Sequence, residues 1–252
     1  MIKGEITLSR ARSAKAQKRH APSVVNENTI TFAPPSRSKS VELIPKTMGQ
    51  ERLILSLLDP NNHIVITAGP AGTGKTYLAM LAAVRALKLR TCERIVLTRP
   101  AVGVEDERHG FLPGDLVSKM EPWTRPLLDV IREYYHPRDI TRMIEDQVIE
   151  ISPLAFMRGR TFKNAWIIAD EMQNATPNQM KMLLSRIGNN SKIIVTGDID
   201  QADRSSRDNG LLDIVQKLDQ NSVNGLSTVL LENRDIQRHP IIKAVLNLYA
   251  DS

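Results

Sequence analysis

The chain has 252 residues, a formal net charge of +6, 41% hydrophobic residues and one cysteine, enough for one large α/β domain or two small ones. No run of about 18 apolar residues occurs, and "MIKGEITLSRARSAKAQKRH" has no apolar stretch, which argues against a membrane-spanning helix and a secretory leader. The lone Cys92 permits no internal disulfide; it fits a reducing, cytoplasmic location and the role of a small buried residue.

Residues 1–40 hold eight Lys/Arg against Glu5 and Glu27, so this arm carries the whole positive excess and the remainder is neutral. Its scattered Ser, Pro and Asn offer too little apolar surface to offset the entropy of ordering, and a flexible basic arm is expected. Such an arm attracts phosphate polymers by counterion release, or serves only as a solvated tail.

From about residue 41 the pattern becomes globular, and 41–252 reads as one domain. "GQERLILSLLD" places Leu53, Ile54, Leu57 and Leu58 on one helical face. "HIVITA" (63–68) reads as a strand and "TYLAMLAAVRALKL" (76–89) as a helix. Further strands are expected at 94–98, 148–151, 166–169, 192–196 and 228–232, and helices at 178–188, 210–219 and 240–250, with Pro240 early in the last. The strands are short apolar runs without alternation, as in parallel strands covered on both faces. The alternation predicts a doubly wound, mainly parallel α/β sheet, interrupted by a charged insert at about 99–147 that holds a helical "PWTRPLLDVIREYY".

"GPAGTGKT" (69–76) satisfies G-x4-G-K-[ST] between an expected strand and an expected helix. Gly69, Pro70, Ala71, Gly72, Thr73, Gly74, Lys75, Thr76 and Tyr77 would form a nucleotide-binding loop. The glycines let backbone N–H groups face a phosphate, Lys75 reaches β- and γ-phosphate oxygens, and the Thr76 hydroxyl ligates Mg²⁺. In "AWIIADEMQN", Asp170 ends an apolar strand and can hold Mg²⁺ through water. Glu171 is suited to activate a water as general base, or to cap a helix. Asp198 and Gln201 in "VTGDIDQAD" either sense the γ-phosphate or form a plain turn. Gln50 could read adenine through its amide, or be an ordinary helical side chain. His109 and His239 have no partner constellation, and no metal-ligand spacing or separate nuclease carboxylate cluster occurs.

"TRPAVGVEDERHGFLPGDLVSKMEPWTRPLLD", "PLAFMRGRTFKNAWIIADEMQN", "QMKMLLSRIG" and "GDIDQAD" together resemble the PhoH family of P-loop ATPases, from about Gln50 to "RHPII". The resemblance implies a RecA-like core similar to one core domain of superfamily 1 helicases, using ATP and Mg²⁺ and acting on RNA. It gives Gly72, Gly74, Lys75 and Thr76 to phosphates and metal, Asp170 and Glu171 to the Walker B pair, Gln201 to motif III and Gln50 to adenine. The chain departs from the family pattern at Met172, Ser185 and Asn209.

The function expected is a cytoplasmic Mg²⁺-dependent ATPase that remodels or unwinds single-stranded RNA or DNA. The alternative is an ATP-regulated protein-interaction module without helicase action. About one core's length follows residue 41, so an arginine finger would come in trans from a neighbour: Arg207, Arg234 or Arg238. A homo-oligomer, such as a hexameric ring, is then expected. Arg99, Arg158, Arg160 and Lys163 are the candidate nucleic-acid contacts, with Phe156 and Phe162 for base stacking, unless "RGR" pairs with carboxylates.

Overall fold

The structure is a computed structural model. It describes residues 39–100, 116–201, 209–238 and 241–242, with 116–122 as backbone only. Six parallel strands form one sheet in the order β3-β2-β4-β5-β1-β6. They are β1 (Ile64–Ala68), β2 (Arg94–Thr98), β3 (Ile149–Ile151), β4 (Ala165–Ala169), β5 (Lys192–Gly197) and β6 (Leu226–Leu230). The helices are α1 (Met48–Leu58), α2 (Lys75–Lys88), α3 (Leu116–Arg132), α4 (Pro137–Glu145), α5 (Pro177–Leu184) and α6 (Gly210–Gln220). The sheet expected as mainly parallel is wholly so among the described strands.

The four inner strands β1, β2, β4 and β5 are covered on both faces, which is why they read as apolar runs, while the edge strand β6 is partly exposed. On one face Val65, Ile95, Leu97, Ile168 and Ile194 pack with α1, α2 and α3 through Leu53, Leu57, Met80 and Ile131. On the other, Ile66, Val96, Ile167, Ile193 and Val195 pack with Met180, Leu183 and Leu211 of α5 and α6. Leu53 and Leu57 are fully buried, and burying such a side chain is worth about 1.5–3 kcal/mol. Leu58, expected on the same face, is 40% exposed, because it lies at the edge of the stripe in the last residue of α1. Cys92 is buried as expected, and burial pushes its thiol up to about 12.

Several boundaries differ from the sequence reading for local reasons. The described part of the insert contains two helices, the second started by His136 as N-cap and Pro137 at the first helical position. α5 opens with a capping box between Thr176 and Gln179. It stops at Leu184, short of the expected 188, because the Ser185 hydroxyl and Arg186 Nε bond the carbonyl of Met182 while the chain turns to pair Ile187 with Phe162. β6 lies two residues earlier than expected, its register set by Ile64 opposite Leu226. Of the departures from the family pattern, Met172 fills the core, Ser185 is the C-cap of α5, and Asn209 caps α6 by accepting from Leu212 N. Asn and Ser cap a helix about equally well.

The arm up to residue 38, residues 101–115 with His109, Arg207, His239, Pro240 and the helix expected beyond residue 242 lie outside the described residues. No helix of the described residues is long and apolar enough to cross a membrane.

Candidate nucleotide-binding site

The C-terminal ends of β4, β5 and β1 are neighbours in the sheet, and the three sequence motifs follow them. After Ala68 the chain turns through 69–74 into α2. Gly72 and Gly74 hold φ +86 and +84, a left-handed region that costs other residues roughly 1–2 kcal/mol. Gly74 caps α2 without a side chain, so the first-turn amides remain donors for an anion. Lys75 folds back over the loop, its Nζ donating to Gly69 O at 2.5 Å and Pro70 O at 2.8 Å. Burial pushes this ammonium's pKa down. Asp198, Glu171 and Asp170 pull it back up, and Arg238 adds to the fall.

Asp170 stands at the end of β4. Its Oδ1 accepts from the Thr76 hydroxyl at 2.7 Å and from the Thr196 hydroxyl at 2.5 Å, so it is aimed at the start of α2. Glu171 adopts φ 53, ψ 39, a left-handed conformation for a residue with a side chain, which costs of order 1–3 kcal/mol. Its Oε2 accepts from Gln173 Nε2 at 2.5 Å, and Gln173 Oε1 accepts from Asp198 N at 3.1 Å. Asp198 Oδ2 in turn accepts from Ala71 N of the loop at 3.1 Å. A continuous hydrogen-bonded path therefore joins Glu171 to the phosphate loop. Lys75, Thr76, Tyr77, Asp170, Glu171, Asp198 and Gln201 line one cavity of about 260 Å³, together with the backbone of Ala71, Gly72 and Gly74.

Gly69, Pro70 and Thr73 frame the loop from behind, Pro70 O accepting from the Thr73 hydroxyl. Gln50 is buried and braces the same loop: its Nε2 donates to Thr73 O at 3.0 Å and its Oε1 accepts from Lys46 N at 2.9 Å. Thr196 and Gln173, which carry no motif of their own in the sequence, complete the site by bonding Asp170 and Glu171. Their signal was their place, Thr196 beside the "GD" of the β5 end and Gln173 two residues after Glu171.

The proposed nucleic-acid residues divide. Arg99, Phe156 and Arg158 lie beyond the C-terminal ends of β2 and β3, where Leu154 N donates to Arg99 O, and Phe156 is 60% exposed. Arg160 is turned back onto Glu150 of β3, donating through both terminal nitrogens, and its guanidinium stacks 4.5 Å from the Phe162 ring. Lys163 is exposed but precedes β4, at the opposite end of the strands. Phe162 is corrected from a base-stacking residue to a core residue: it is fully buried, because its pairing with Ile187 draws it under α5. Arg234 is exposed and pairs with Glu232 at 3.1 Å. Arg238, expected to act on a neighbour, lies beside Gly72 of its own chain.

Within the described residues no group of three or more His, Cys, Asp or Glu forms a metal cluster. A hydroxyl and a carboxylate converging on one cavity, Thr76 with Asp170, do suit Mg²⁺, which keeps most of its waters and takes one or two hard oxygen ligands from protein. Thr76 directly and Asp170 through water would hold it.

A parallel α/β sheet with a glycine loop after its first strand and an acidic pair after its fourth defines a nucleotide-binding protein of the P-loop NTPase class. The chain matches the family model for PhoH-like protein over residues 42–250 and belongs to the PhoH family. It is 42% identical over 214 residues to the PhoH-like protein of Bacillus subtilis (strain 168), covering 85% of this chain and 65% of that one. To the PhoH-like protein of Synechocystis it is 44% identical over 207 residues, with coverage of 82% and 62%. To Protein PhoH of Escherichia coli (strain K12) it is 36% identical over 193 residues, with coverage of 75% and 54%. The chain thus spans 54–65% of the length of these relatives. Among solved structures, the Pyrococcus furiosus Hef helicase domain aligns with a TM-score of 0.43 at 11% identity, covering 76% of this chain and 39% of that one. Pif1 helicase from Candida albicans aligns at 0.36 and 15%, covering 81% and 44%. Both are faint likenesses of overall outline.

Proposed function

We propose that this chain is a Mg²⁺-dependent ATPase that couples hydrolysis to binding and remodelling single-stranded RNA or DNA. The observation that carries the hydrolytic part is the placement of Glu171. It is held by Gln173 in the cavity that also presents Lys75 and the Thr76–Asp170 pair. A carboxylate next to the metal-binding aspartate is what water activation requires and phosphate binding alone does not.

In this reading the loop amides and Lys75 receive the β- and γ-phosphates, phosphate oxygens replacing the Gly69 and Pro70 carbonyls as acceptors for Nζ. Mg²⁺, when bound, offsets charge that builds on the phosphate oxygens. Glu171 takes a proton from the attacking water, the water oxygen bonds to the γ-phosphorus, and the bond to the bridging oxygen breaks to leave ADP and phosphate. Gln173 holds Glu171 at the right side of the cavity and transmits its position to Asp198 and the loop. At about 260 Å³ the cavity is smaller than the ~300–1,000 Å³ of sites for drug-sized ligands, so it suits the phosphate chain, with the nucleoside beyond it.

Arg99, Phe156 and Arg158 supply the nucleic-acid surface, since they share the strand-end side with the nucleotide cavity. The test is the Glu171→Gln variant. Retained binding of a fluorescent ATP analogue with loss of phosphate release supports the reading. Full turnover by that variant refutes it.

A further inference from the structure

We propose that Arg238 is a phosphate-contacting residue of its own chain's loop, delivered in cis by a strap that follows β6. The proposal rests on the nucleotide reading above and adds to it the source of the second cation.

The strap begins at Leu231, whose N–H donates to Ala68 O. It turns through a short 3-10 segment at Asn233–Asp235. Asp235 is buried; its carboxylate accepts from Glu232 N at 2.9 Å and from Gly49 N in the first turn of α1 at 3.3 Å. Two residues on, Gln237 N donates to Gly72 O at 2.9 Å. The turn is thereby fastened to the helix whose Gln50 braces Thr73, and its end is fastened to the loop itself.

Arg238 follows at once. Its side chain lies so close to Gly72 that a β-carbon there would sit 2.5 Å from Nε and 2.9 Å from Cγ. Gly72 is therefore required twice, for its left-handed backbone and for the room it leaves the arginine. No carboxylate of the described residues pairs with Arg238, whereas Arg234 and Arg160 each have one. Lys75 feels the arginine's charge across the loop. Two cations on one glycine loop, one bonded to its carbonyls and the other beside Gly72 on a segment tied to the loop through Gln237 N, repel unless an anion offsets them. A polyphosphate is the anion that fits, and a guanidinium meets phosphate oxygens with paired donors. An arginine of the same chain then supplies what the sequence reading assigned to a neighbour.

The test uses the full chain with Arg238→Ala, Arg238→Lys and Lys75→Ala. Arg238→Ala is expected to weaken binding of a fluorescent ATP analogue and to lower turnover by about 10–100-fold, the usual worth of a hydrogen-bonded charge. Arg238→Lys should recover part of the loss at an unchanged melting temperature. To separate cis from trans, Lys75→Ala and Arg238→Ala chains are co-expressed with different tags and purified through both. An arginine acting in cis leaves such mixtures no more active than their Arg238→Ala chains alone, while turnover recovered above that level overturns the proposal. Failure to obtain doubly tagged protein from an active wild type also supports cis action, because no neighbour is present. Wild-type turnover that is unchanged in Arg238→Ala overturns this inference alone. A wild type that neither binds nor hydrolyses nucleotide overturns the functional reading beneath it.

Discussion

The carboxylate of Asp235 accepts a hydrogen bond from the backbone of Gly49, joining residues 186 apart in the chain. Gly49 sits inside a helix, where glycine costs about 1 kcal/mol relative to alanine. The reason is space: a β-carbon at Gly49 would run into the Asp235 carboxyl group, 2.5 Å from Oδ1. Overpacking costs about 1–3 kcal/mol, so the clash outweighs the helix gain, and Gly49→Ala should lower stability in urea unfolding. Asp235→Asn should do so in a pH-dependent way. Burial works to raise the Asp235 pKa, but bonds from Thr47, Glu232 and Gly49 outweigh it and hold the group below its ordinary value. Its contribution is then present above the unfolded pKa and is lost as pH falls through the folded one. The variant should show a flatter loss of stability with acid than the wild type.

Gln173 is buried and holds Glu171 with one end of its amide and Asp198 N with the other. Gln173→Ala leaves the glutamate unplaced, and a shift of about 1 Å in a reacting group can cost on the order of 10²-fold in rate. Steady-state kinetics should show kcat falling by roughly that factor with KM little changed. A proportional rise in KM with kcat intact would place Gln173 in nucleotide binding instead.

Lys192 starts β5 and donates from Nζ to Leu57 O at 2.7 Å and Asp59 O at 2.8 Å, at the end of α1. Burial pushes its pKa down to about 8. Between that value and the ordinary lysine range near 10.4 the unfolded chain binds a proton that the folded one does not, so stability rises with pH across this window. Wild type should gain on Lys192→Met from about pH 8 upward, since a neutral amine keeps two N–H groups for both carbonyls. Parallel pH profiles for the two proteins would contradict this.

Phe162 and Phe156 should separate cleanly. Phe162 is fully buried, and truncating a core phenylalanine to alanine costs about 3–5 kcal/mol. Phe156 is 60% exposed, and its removal should change stability by no more than about 0.5 kcal/mol. If Phe156 stacks on a base, Phe156→Ala should weaken single-stranded RNA binding by about 1–3 kcal/mol, read by fluorescence anisotropy.

The strands and the loop were legible because their signals are local. "HIVITA" and "KIIVT" are apolar on both faces, and "GPAGTGKT" carries its own turn chemistry. What escaped depends on contacts distant in sequence. Nothing in "LAFMRGRTFK" distinguishes the buried Phe162 from the exposed Phe156; only the pairing with Ile187 does. Arg160 is consumed by Glu150 for the same reason, and this was the alternative the sequence left open. Thr196 serves the site through its hydrogen bond to Asp170, and Gln173 through the one it accepts from Asp198 N, both of which the pairing of β4 with β5 creates. Arg238 was recognisable as a possible phosphate ligand, but that it lies on its own loop follows from the turn anchored by Asp235.

ATP turnover measured with and without single-stranded RNA, with Glu171→Gln as the control, tests the central claim most directly. A several-fold RNA-dependent rise that the variant lacks is the expected result. Glu171-dependent turnover indifferent to both RNA and DNA would contradict coupling to nucleic acid and turn attention to a protein partner.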